Sequence, residues 1–372
     1  MPLYMDRHDV SASVTAENVA ELHQQDLKIQ HKFNCRGLTY WFDGDRNTAF
    51  CLIEAPDKES IQKMHNRAHG EVPNEIIEVD PQLVESFLGR MEDPVSSENN
   101  ALNIINEPAF RTIMQGNLRI LSLEKQTPKA LASFFNKYIN AVAKLFKRFE
   151  AGTVKQGEQS FLLSFKSVSN AVNFAKEAQA LFSEFSRGEH ISDIGLILGM
   201  CTGSPVTEKK TLFESSIKLV NYLCTIEKSE IISTTEVKNL YERENINASF
   251  DNKTILVLNP SEEALLIELM DFIEKNWTNP DLKVEDFNKN LGMSKSNTYR
   301  KLTELTGKSP NEFLREYRLN HALTSINTKK NTISEIAYNT GFNSPSYFSK
   351  CFQKRFGLLP SHYQSALTSA TV

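Results

Sequence analysis

Hydrophobic and polar residues recur with strand-like and helix-like periods, and these periods divide the chain into regions. In residues 1–80 the pattern predicts the order strand, helix, strand, strand, helix, strand. Thr15, with Asn18 three residues later, and Asp57 stand where the two helices should begin, because their side-chain oxygens can cap a helix. The predicted elements are 2–6, 15–30, 38–42, 48–54, 57–68 and 76–79.

Residues 110–258 predict a second mixture of strands and helices, and the chain after residue 262 predicts helix throughout. The strands of the second region are expected at 117–123, 161–165, 194–200 and 255–258, and its helices at 128–149 and 169–185. The polar stretch 89–109 predicts a linker, because Pro94 is followed there by serines, a glutamate and asparagines. We therefore expect a multidomain protein: an α+β ferredoxin-like domain at 1–88, an α/β domain at 110–258 and an all-α domain at 261–372.

Charge is distributed unevenly between the body and the tail of the chain. Residues 289–372 contain 12 Lys and Arg against 4 Asp and Glu, a net charge of +8, whereas the first 288 residues contain 30 against 42, a net charge of −12. The overall charge of −4 hides this asymmetry. A basic tail on an acidic body indicates phosphate contact by the C-terminal region, although a solvated basic face would give the same counts.

Several features bear on where the protein is found. Asp6, Arg7 and Asp9 interrupt the N-terminus, which therefore lacks the apolar core of a signal peptide. No apolar run approaches the ~18 residues that would span a bilayer. The cysteines have no CxxC spacing, which favours reduced thiols; they are Cys35, Cys51, Cys201, Cys224 and Cys351. We expect a cytoplasmic protein without a membrane contact.

Two stretches of the helical tail repeat one pattern of apolar residues around a glycine. The shared positions are Val284, Phe287, Gly292 and Met293 in the first copy and Ile333, Ile336, Gly341 and Phe342 in the second. Each glycine should take a positive φ at a sharp turn between two helices. Ser294 and Asn343 are expected to cap the second helix of each copy, and Leu302 and Phe352 to close each core. The tail is therefore predicted to hold two helix-turn-helix units, joined by a helix over 310–327.

Two segments carry a resemblance to a known family. Residues 308–322 read KSPNEFLREYRLNHA, and residues 341–360 read GFNSPSYFSKCFQKRFGLLP. From about residue 265 to residue 365 the chain resembles the AraC/XylS family of transcription regulators. The resemblance implies double-stranded DNA as the partner, with the second helix of each unit in successive major grooves. The base-reading residues that it implies are Ser296, Asn297, Tyr299, Arg300, Ser346, Tyr347, Ser349 and Lys350.

Arg300 is the strongest of these candidates, because one guanidinium can bind guanine O6 and N7 together. A phosphate contact or a surface salt bridge is the alternative role for Arg300, and packing between helices is the alternative role for Tyr347. The chain departs from the family at Asn288, where alanine is usual, and at Thr298, where leucine is usual. Both departures predict lighter packing in the first unit.

Histidines concentrate in the first 70 residues, where His8, His23, His31, His65 and His69 are found. His65 and His69 have the i,i+4 spacing that places two imidazoles on one helix face. Imidazole nitrogen suits Zn²⁺, Ni²⁺ or Cu²⁺, although such a pair can also be solvated or cap a helix.

The front region also resembles a small ferredoxin-like family that binds nickel and dimerises. The resemblance rests on YWFD at residues 40–43, AFCLIEAP at residues 49–56 and HNRAHG at residues 65–70. It implies His8, His23, His65 and His69 as metal ligands, with nickel or zinc as the metal, whereas His31 does not match.

Residues 110–258 resemble the class III nucleotidyl cyclase homology domain, through IGLILGMCTG at residues 194–203 and SEIIS at residues 229–233. Active members need two aspartates to hold two metal ions. The first is missing from residues 118–124, and the family's Gly-Asp hairpin reads Gly157-Glu158. The family's transition-state asparagine and arginine fall on Lys218 and Tyr222. The resemblance therefore implies a cyclase-like fold without catalytic residues, used for dimerisation or for holding a ligand.

These patterns together predict a DNA-binding transcription regulator that is not an enzyme, acts as a homodimer and responds to a metal ion or a small effector. One alternative is a nucleotidyl cyclase with an atypical active site fused to a DNA-binding domain. A second is a metal-storage or trafficking protein that touches DNA only incidentally. The operator, the effector and the choice between activation and repression stay open.

Overall fold

The computed structural model describes residues 1–94, 102–246, 249–328 and 330–369. Residues 95–101 of the predicted linker lie outside the described residues. Among the described residues, no helix is both long and apolar enough to cross a membrane.

Residues 1–88 form a four-stranded antiparallel sheet whose strands lie in the order second, third, first, fourth, and the first two helices of this region pack on one face. Because successive strand residues face opposite sides, Tyr4 and Tyr40 pack beneath the helices while Met5 and Trp41 pack toward the rest of the protein. The predicted order of elements is confirmed, and one further helix follows it. The elements are β1 Leu3–Asp9, α1 Ala16–Ile29, β2 Arg36–Asp43, β3 Thr48–Glu54, α2 Lys58–Ala68, β4 Glu75–Glu78 and α3 Pro81–Leu88.

The middle region forms a six-stranded sheet with helices between its strands. The elements are β5 Arg111–Ile120, α4 Pro128–Arg148, β6 Gly152–Gln156, β7 Ser160–Phe165, α5 Val168–Gly188, β8 Ile194–Gly203, α6 Glu214–Leu223, β9 Ile231–Thr234, α7 Thr235–Glu244 and β10 Ile255–Leu258. The strand order in the sheet is β10-β9-β8-β5-β7-β6. Strands β8, β9 and β10 pair in parallel, and all other neighbouring strands are antiparallel.

The predicted first strand of this sheet, 117–123, overlaps β5, but its bounds were wrong: β5 begins six residues earlier, at Arg111, and ends at Ile120. Arg111, Thr112 and Gln115 are buried polar residues, so they interrupt the hydrophobic pattern that the prediction used. The Arg111 guanidinium donates to the carbonyl oxygens of Phe87 at 3.1 Å and Pro108 at 2.7 Å. These carbonyl oxygens satisfy the buried guanidinium of Arg111. From the sequence alone, a charged arginine would be expected in solvent.

The C-terminal region is helical, as predicted, and the helix over 310–327 has the predicted bounds. Asn259 caps the first helix through its side chain, and Glu262 bonds back to the Asn259 backbone N–H in a capping box. The elements are α8 Pro260–Asn276, α9 Val284–Asn290, α10 Lys295–Thr306, α11 Pro310–Asn327, α12 Ile333–Asn339, α13 Pro345–Phe356 and α14 Pro360–Ser369.

The three regions pack against one another through apolar and polar contacts. Phe87 of α3 stacks on Phe213 of the middle region, with ring centroids 4.7 Å apart. The backbone N–H of Leu123 donates to the carbonyl of Phe356 in α13 at 2.7 Å. In the predicted linker, Arg90 lies over the Trp41 ring at 4.6 Å, and Ala109 is fully buried. The described parts of that segment are therefore packed against the domains that they connect.

Candidate functional site

The first helix-turn-helix unit consists of α9 and α10. Gly292 has a φ of +60°, as the sharp turn requires, and the Ser294 side chain accepts from the backbone N–H of Asn297. Phe287 and Leu302 are both buried and close the core between the two helices. The predicted turn, cap and core residue of this unit are confirmed.

The second unit, α12 and α13, has the same construction with one correction. Gly341 has a φ of +78°, and Phe352 is completely buried. The helix cap is Ser344, not Asn343 as predicted, and Ser344 accepts from the backbone N–H of Tyr347. The second copy carries one more residue before its helix than the first, and Pro345 takes the first helical position, where its missing N–H is no loss.

Helices α10 and α13 carry the predicted base-reading residues at or near the surface. Ser296, Arg300, Ser346, Tyr347 and Lys350 are exposed, and the remaining three are half-buried; these are Asn297, Tyr299 and Ser349. Each helix turns its apolar side inward, through Leu302 and Phe352. The structure thus leaves both polar faces accessible.

Arg300 already has partners within its own helix. Its guanidinium lies 3.0 Å from a carboxylate oxygen of Glu304 and donates to the Asn297 side-chain oxygen at 2.9 Å. Both side chains of the Arg300–Glu304 pair are 59% exposed, so the pair contributes little to stability and can open. Tyr347 is 54% exposed, and its ring centroid lies 6.2 Å from that of Phe342.

The two departures from the family pattern differ in their environment. Thr298 is fully buried, and its hydroxyl donates to the carbonyl of Ser294 at 3.2 Å. The side-chain oxygen of Asn288 is buried and has no hydrogen-bond partner among the described residues. A buried acceptor without a donor costs free energy, so Asn288 is the less favourable of the two.

The front domain gathers imidazoles, carboxylates and a thiol beside a cavity of about 410 Å³. One group consists of Asp6, His8, Cys51 and His65, whose ligand atoms lie within 4.8 Å of one another. Strands β1 and β3 are paired neighbours and supply the first three, and α2 supplies His65 from above the sheet. His8 and His65 have ring centroids 5.0 Å apart.

A second group, Asp26, His65 and His69, shares His65 with the first. His65 Nε2 lies 3.0 Å from Asp6 Oδ2, and His65 Nδ1 lies 3.1 Å from Asp26 Oδ2. His69 Nε2 lies 3.3 Å from Asp26 Oδ1. The predicted pair His65 and His69 therefore lies close together. The Asp26 carboxylate contacts both rings, and the Asp6 carboxylate contacts His65.

His23, the fourth predicted ligand, lies in neither group, although it borders the same cavity. Its Nε2 is 3.5 Å from a carboxylate oxygen of Asp93, and its ring packs on Tyr40 at 4.9 Å. The structure thus brings together three of the four predicted histidines and leaves His23 beside a separate carboxylate.

The acidic and imidazole groups of this cluster shift one another's pKa values. Desolvation opposes a charged His65, but the hydrogen bonds to Asp26 and Asp6 outweigh it and raise the pKa of His65 to about 10. Desolvation likewise opposes a charged Asp6, yet nearby His8 and the hydrogen bond from His65 lower its pKa. Burial, and then the Asp6 charge, raise the pKa of the Cys51 thiol well above its ordinary value. The buried carboxylates therefore hold positive charge at His65.

Sequence reasoning missed Asp6, Asp26 and Cys51. The available signal was a charged residue inside each of two apolar patterns: Asp6 within β1 and Asp26 on the buried side of α1. Both carboxylates are almost completely buried. Buried carboxylates are rare unless they are paired or bind a metal ion.

In the middle region, Lys218 and Tyr222, the two positions to which the cyclase resemblance drew attention, contact helix α8. The Tyr222 hydroxyl lies 2.9 Å from a carboxylate oxygen of Asp271 and 2.7 Å from one of Glu274. Lys218 Nζ lies 2.8 Å from Asp271. These side chains thus join the middle domain to the C-terminal region.

Two parts of the chain match family models. Residues 4–79 match the family described as nickel responsive protein SCO4226-like, and residues 288–366 match the helix-turn-helix domain family.

Several known proteins are similar to parts of this chain. Histidine kinase P4 of Formosa agariphila is 38% identical over 135 residues, which are 35% of this chain and 10% of that protein. The lactose operon transcription activator of Staphylococcus xylosus is 25% identical over 177 residues, 40% of this chain and 63% of that protein. The chain thus spans less than two thirds of the length of either relative. The crystal structure of SCO4226 from Streptomyces coelicolor A3(2) is 34% identical over 21% of this chain and 94% of that chain, with a TM-score of 0.20.

The C-terminal region of this chain is an AraC-type helix-turn-helix domain, a DNA-binding class found in transcription regulators. Its N-terminal region carries a domain similar to the SCO4226-like family, which is described as nickel responsive.

Proposed function

We propose that this protein is a sequence-specific, DNA-binding transcription regulator. The observation that carries the proposal is the pair of helix-turn-helix units, α9–α10 and α12–α13, each with an accessible polar face on its second helix. Each such helix fits the width of a major groove. Selecting bound sites from random DNA with the full chain tests the proposal, and binding that shows no sequence preference would contradict it.

In this proposal α10 and α13 enter successive major grooves on one face of the DNA. Arg300 leaves Glu304 and Asn297 to bind a guanine, because the exposed pair costs little to open. The other base-reading residues are those predicted above on the two helices. The net charge of +8 over residues 289–372 supports the accompanying phosphate contacts.

We further propose that the front domain has a ferredoxin-like fold and binds a divalent metal ion through His8, His65 and His69, with Asp6, Asp26 and Cys51 close by. The donor chemistry fits nickel or zinc, which take imidazole, carboxylate and thiolate ligands. The buried Asp26 Oδ1 lies 3.3 Å from His69 Nε2 and has no hydrogen-bond partner among the described residues, which supports this assignment. A bound cation would supply positive charge beside the buried carboxylates and would replace protons on the imidazoles.

For the middle domain we propose a nucleotidyl cyclase-like fold that does not catalyse. Lys218 and Tyr222 are engaged with Asp271 and Glu274 of α8, which supports a structural use of these positions. Incubation with ATP or GTP and Mn²⁺ tests this proposal, and a cyclic nucleotide product would overturn it.

We also propose that the protein works as a cytoplasmic homodimer whose DNA binding responds to a metal ion or a small molecule. A second copy would double the phosphate contacts of a single tail. Sedimentation of the full chain with and without Ni²⁺ tests the assembly, and a monomer in both conditions would contradict it.

A further inference from the structure

Five charged side chains form an alternating network across the boundary between the middle domain and the C-terminal region. Arg119 Nη1 lies 3.0 Å from Glu227 Oε1, and Lys308 Nζ lies 2.5 Å from Glu227 Oε2. Lys308 Nζ is also 3.7 Å from Glu316 Oε2, and Glu316 pairs with Arg355. The middle domain supplies Arg119 and Glu227, and the C-terminal region supplies the other three. With three cations and two anions, the network has one positive charge in excess.

Both ends of this network border the same cavity. The cavity has a volume of about 360 Å³ and lies between β5 and α6 of the middle domain and α11 of the C-terminal region. Arg119 lines it from β5 and Arg355 from α13, and no Asp or Glu is among its described lining residues. Both positively charged ends of the network therefore line the cavity.

The guanidinium groups of Arg119 and Arg355 each retain N–H donors that bond to no described residue. An arginine has five N–H donors. Toward the described residues, Arg119 donates only through Nη1, while Arg355 donates through Nε to Glu316 and through Nη1 to the carbonyl of Leu121. The side-chain amides of Gln159, Asn221 and Asn320 also line the cavity, and none has a hydrogen-bond partner in the part of the chain that the structure describes. Donors and acceptors from both domains thus surround a volume typical of small-molecule sites.

We propose that this cavity binds a small oxyanion, a phosphate or carboxylate group on a polar body, between Arg119 and Arg355. Arginine suits this class of ligand because its planar fork matches both groups. The unpaired amides would hydrogen-bond the polar body of the ligand. The bound anion balances the excess positive charge of the network.

Such a ligand couples the two domains. Because one guanidinium comes from each domain, the complete site exists only while the C-terminal region is docked as observed. A ligand shifts an equilibrium toward the arrangement that it binds better, so the oxyanion stabilises the docked arrangement. This regulation does not depend on the metal site of the front domain.

Calorimetric titration of the full chain with inorganic phosphate and, separately, with succinate tests the site at constant ionic strength set with sodium chloride. We expect saturable binding of at least one anion, with one site per chain and a higher melting temperature. Binding of phosphate alone, succinate alone or both identifies the anion chemistry and supports the site. Arg119→Gln and Arg355→Gln should each weaken binding by about tenfold or more, through the lost charge-assisted hydrogen bonds.

Two further variants keep the test decisive if a network variant does not fold. Asn221→Leu replaces an amide of the cavity wall by an apolar group of the same branching, without touching an ion pair, and should also weaken binding. Arg187→Gln removes the same charge from an exposed position on α5, outside the cavity, and should bind like the natural chain. Absence of binding to both anions, or unchanged affinity in Arg119→Gln or Asn221→Leu relative to Arg187→Gln, overturns the proposal.

Discussion

The carbonyl oxygen of Trp277 lies only 2.5 Å from the place where a Cβ atom would stand at Gly341. Arg318, which donates to that same carbonyl at 2.7 Å, closes the other side, with its Nε 2.8 Å from the same point. At Gly292, the equivalent turn of the first unit, no atom comes within 4 Å. The two turns share a positive φ but differ in their surroundings.

We therefore expect Gly341→Ala to destabilise the protein more than Gly292→Ala. Both variants place a side chain at positive φ, which costs about 1–2 kcal/mol. Gly341→Ala must also displace Trp277 or Arg318, which adds about 1–3 kcal/mol. Denaturant unfolding of both variants measures the difference. Equal losses of unfolding free energy in the two variants would show that Trp277 and Arg318 move aside at Gly341→Ala without a cost.

The hydrogen bond of Tyr222 to α8 gives a second prediction. Tyr222→Phe removes a hydroxyl that lies between Asp271 and Glu274, and should cost about 1.5–3 kcal/mol of unfolding free energy, as expected for a hydrogen bond to a charged group. Tyr241→Phe is the control, because the Tyr241 hydroxyl makes no hydrogen bond within the described residues. An equal effect of the two substitutions would show that the contact with α8 contributes nothing.

For the metal site, we expect the full chain to bind Ni²⁺ or Zn²⁺ in calorimetry and the double variant His65→Ala, His69→Ala to lose that binding. His31→Ala is the control, since His31 is exposed and lies in neither ligand group. His8→Ala should weaken binding by about tenfold or more, and by more than His23→Ala, because His23 lies beside Asp93. Binding that survives in the double variant would reject the site.

Base reading by Arg300 predicts a change in specificity as well as in affinity. Arg300→Ala should cost about 1–3 kcal/mol at one position of the selected site and relax the base preference there. Arg300→Lys keeps the positive charge but cannot form the bidentate contact with guanine O6 and N7, so it should also relax the base preference at that position. Lys354→Ala, at an exposed position, should weaken all sequences about equally. An unchanged sequence preference in Arg300→Ala would contradict the assignment.

The last prediction concerns what the upstream domains add to DNA binding. Residues 259–372 retain the capping box of α8 and should bind the same sequence as the full chain, but more weakly and with a shallower salt dependence, because a dimer neutralises more phosphates. Measuring both proteins on one selected site across a salt series decides this. Equal affinity and slope would mean that the first 258 residues do not organise DNA binding.

Local patterns in the sequence were enough to predict several turns, helix caps and helix bounds of this protein. The turns at Gly292 and Gly341, the cap at Ser294 and the bounds of α11 follow from residues close together in the chain, and so did the family of the C-terminal region. The one wrong cap, Asn343, reflects a single extra residue before α13. Helix caps and periodicity are local, which is why they could be predicted.

Tertiary structure alone decided the composition of the charged sites. Asp6 and His65 are 59 residues apart in sequence, and Asp26 and His69 are 43 apart, yet each pair meets where α1 and α2 pack on the sheet. Arg119 and Arg355 reach one cavity only because the C-terminal region docks on β5 and α6. A carboxylate or guanidinium has no periodic signature, and its partner is fixed by packing between distant segments. The sequence could therefore indicate the histidines, but not the acids and the thiol that lie beside them.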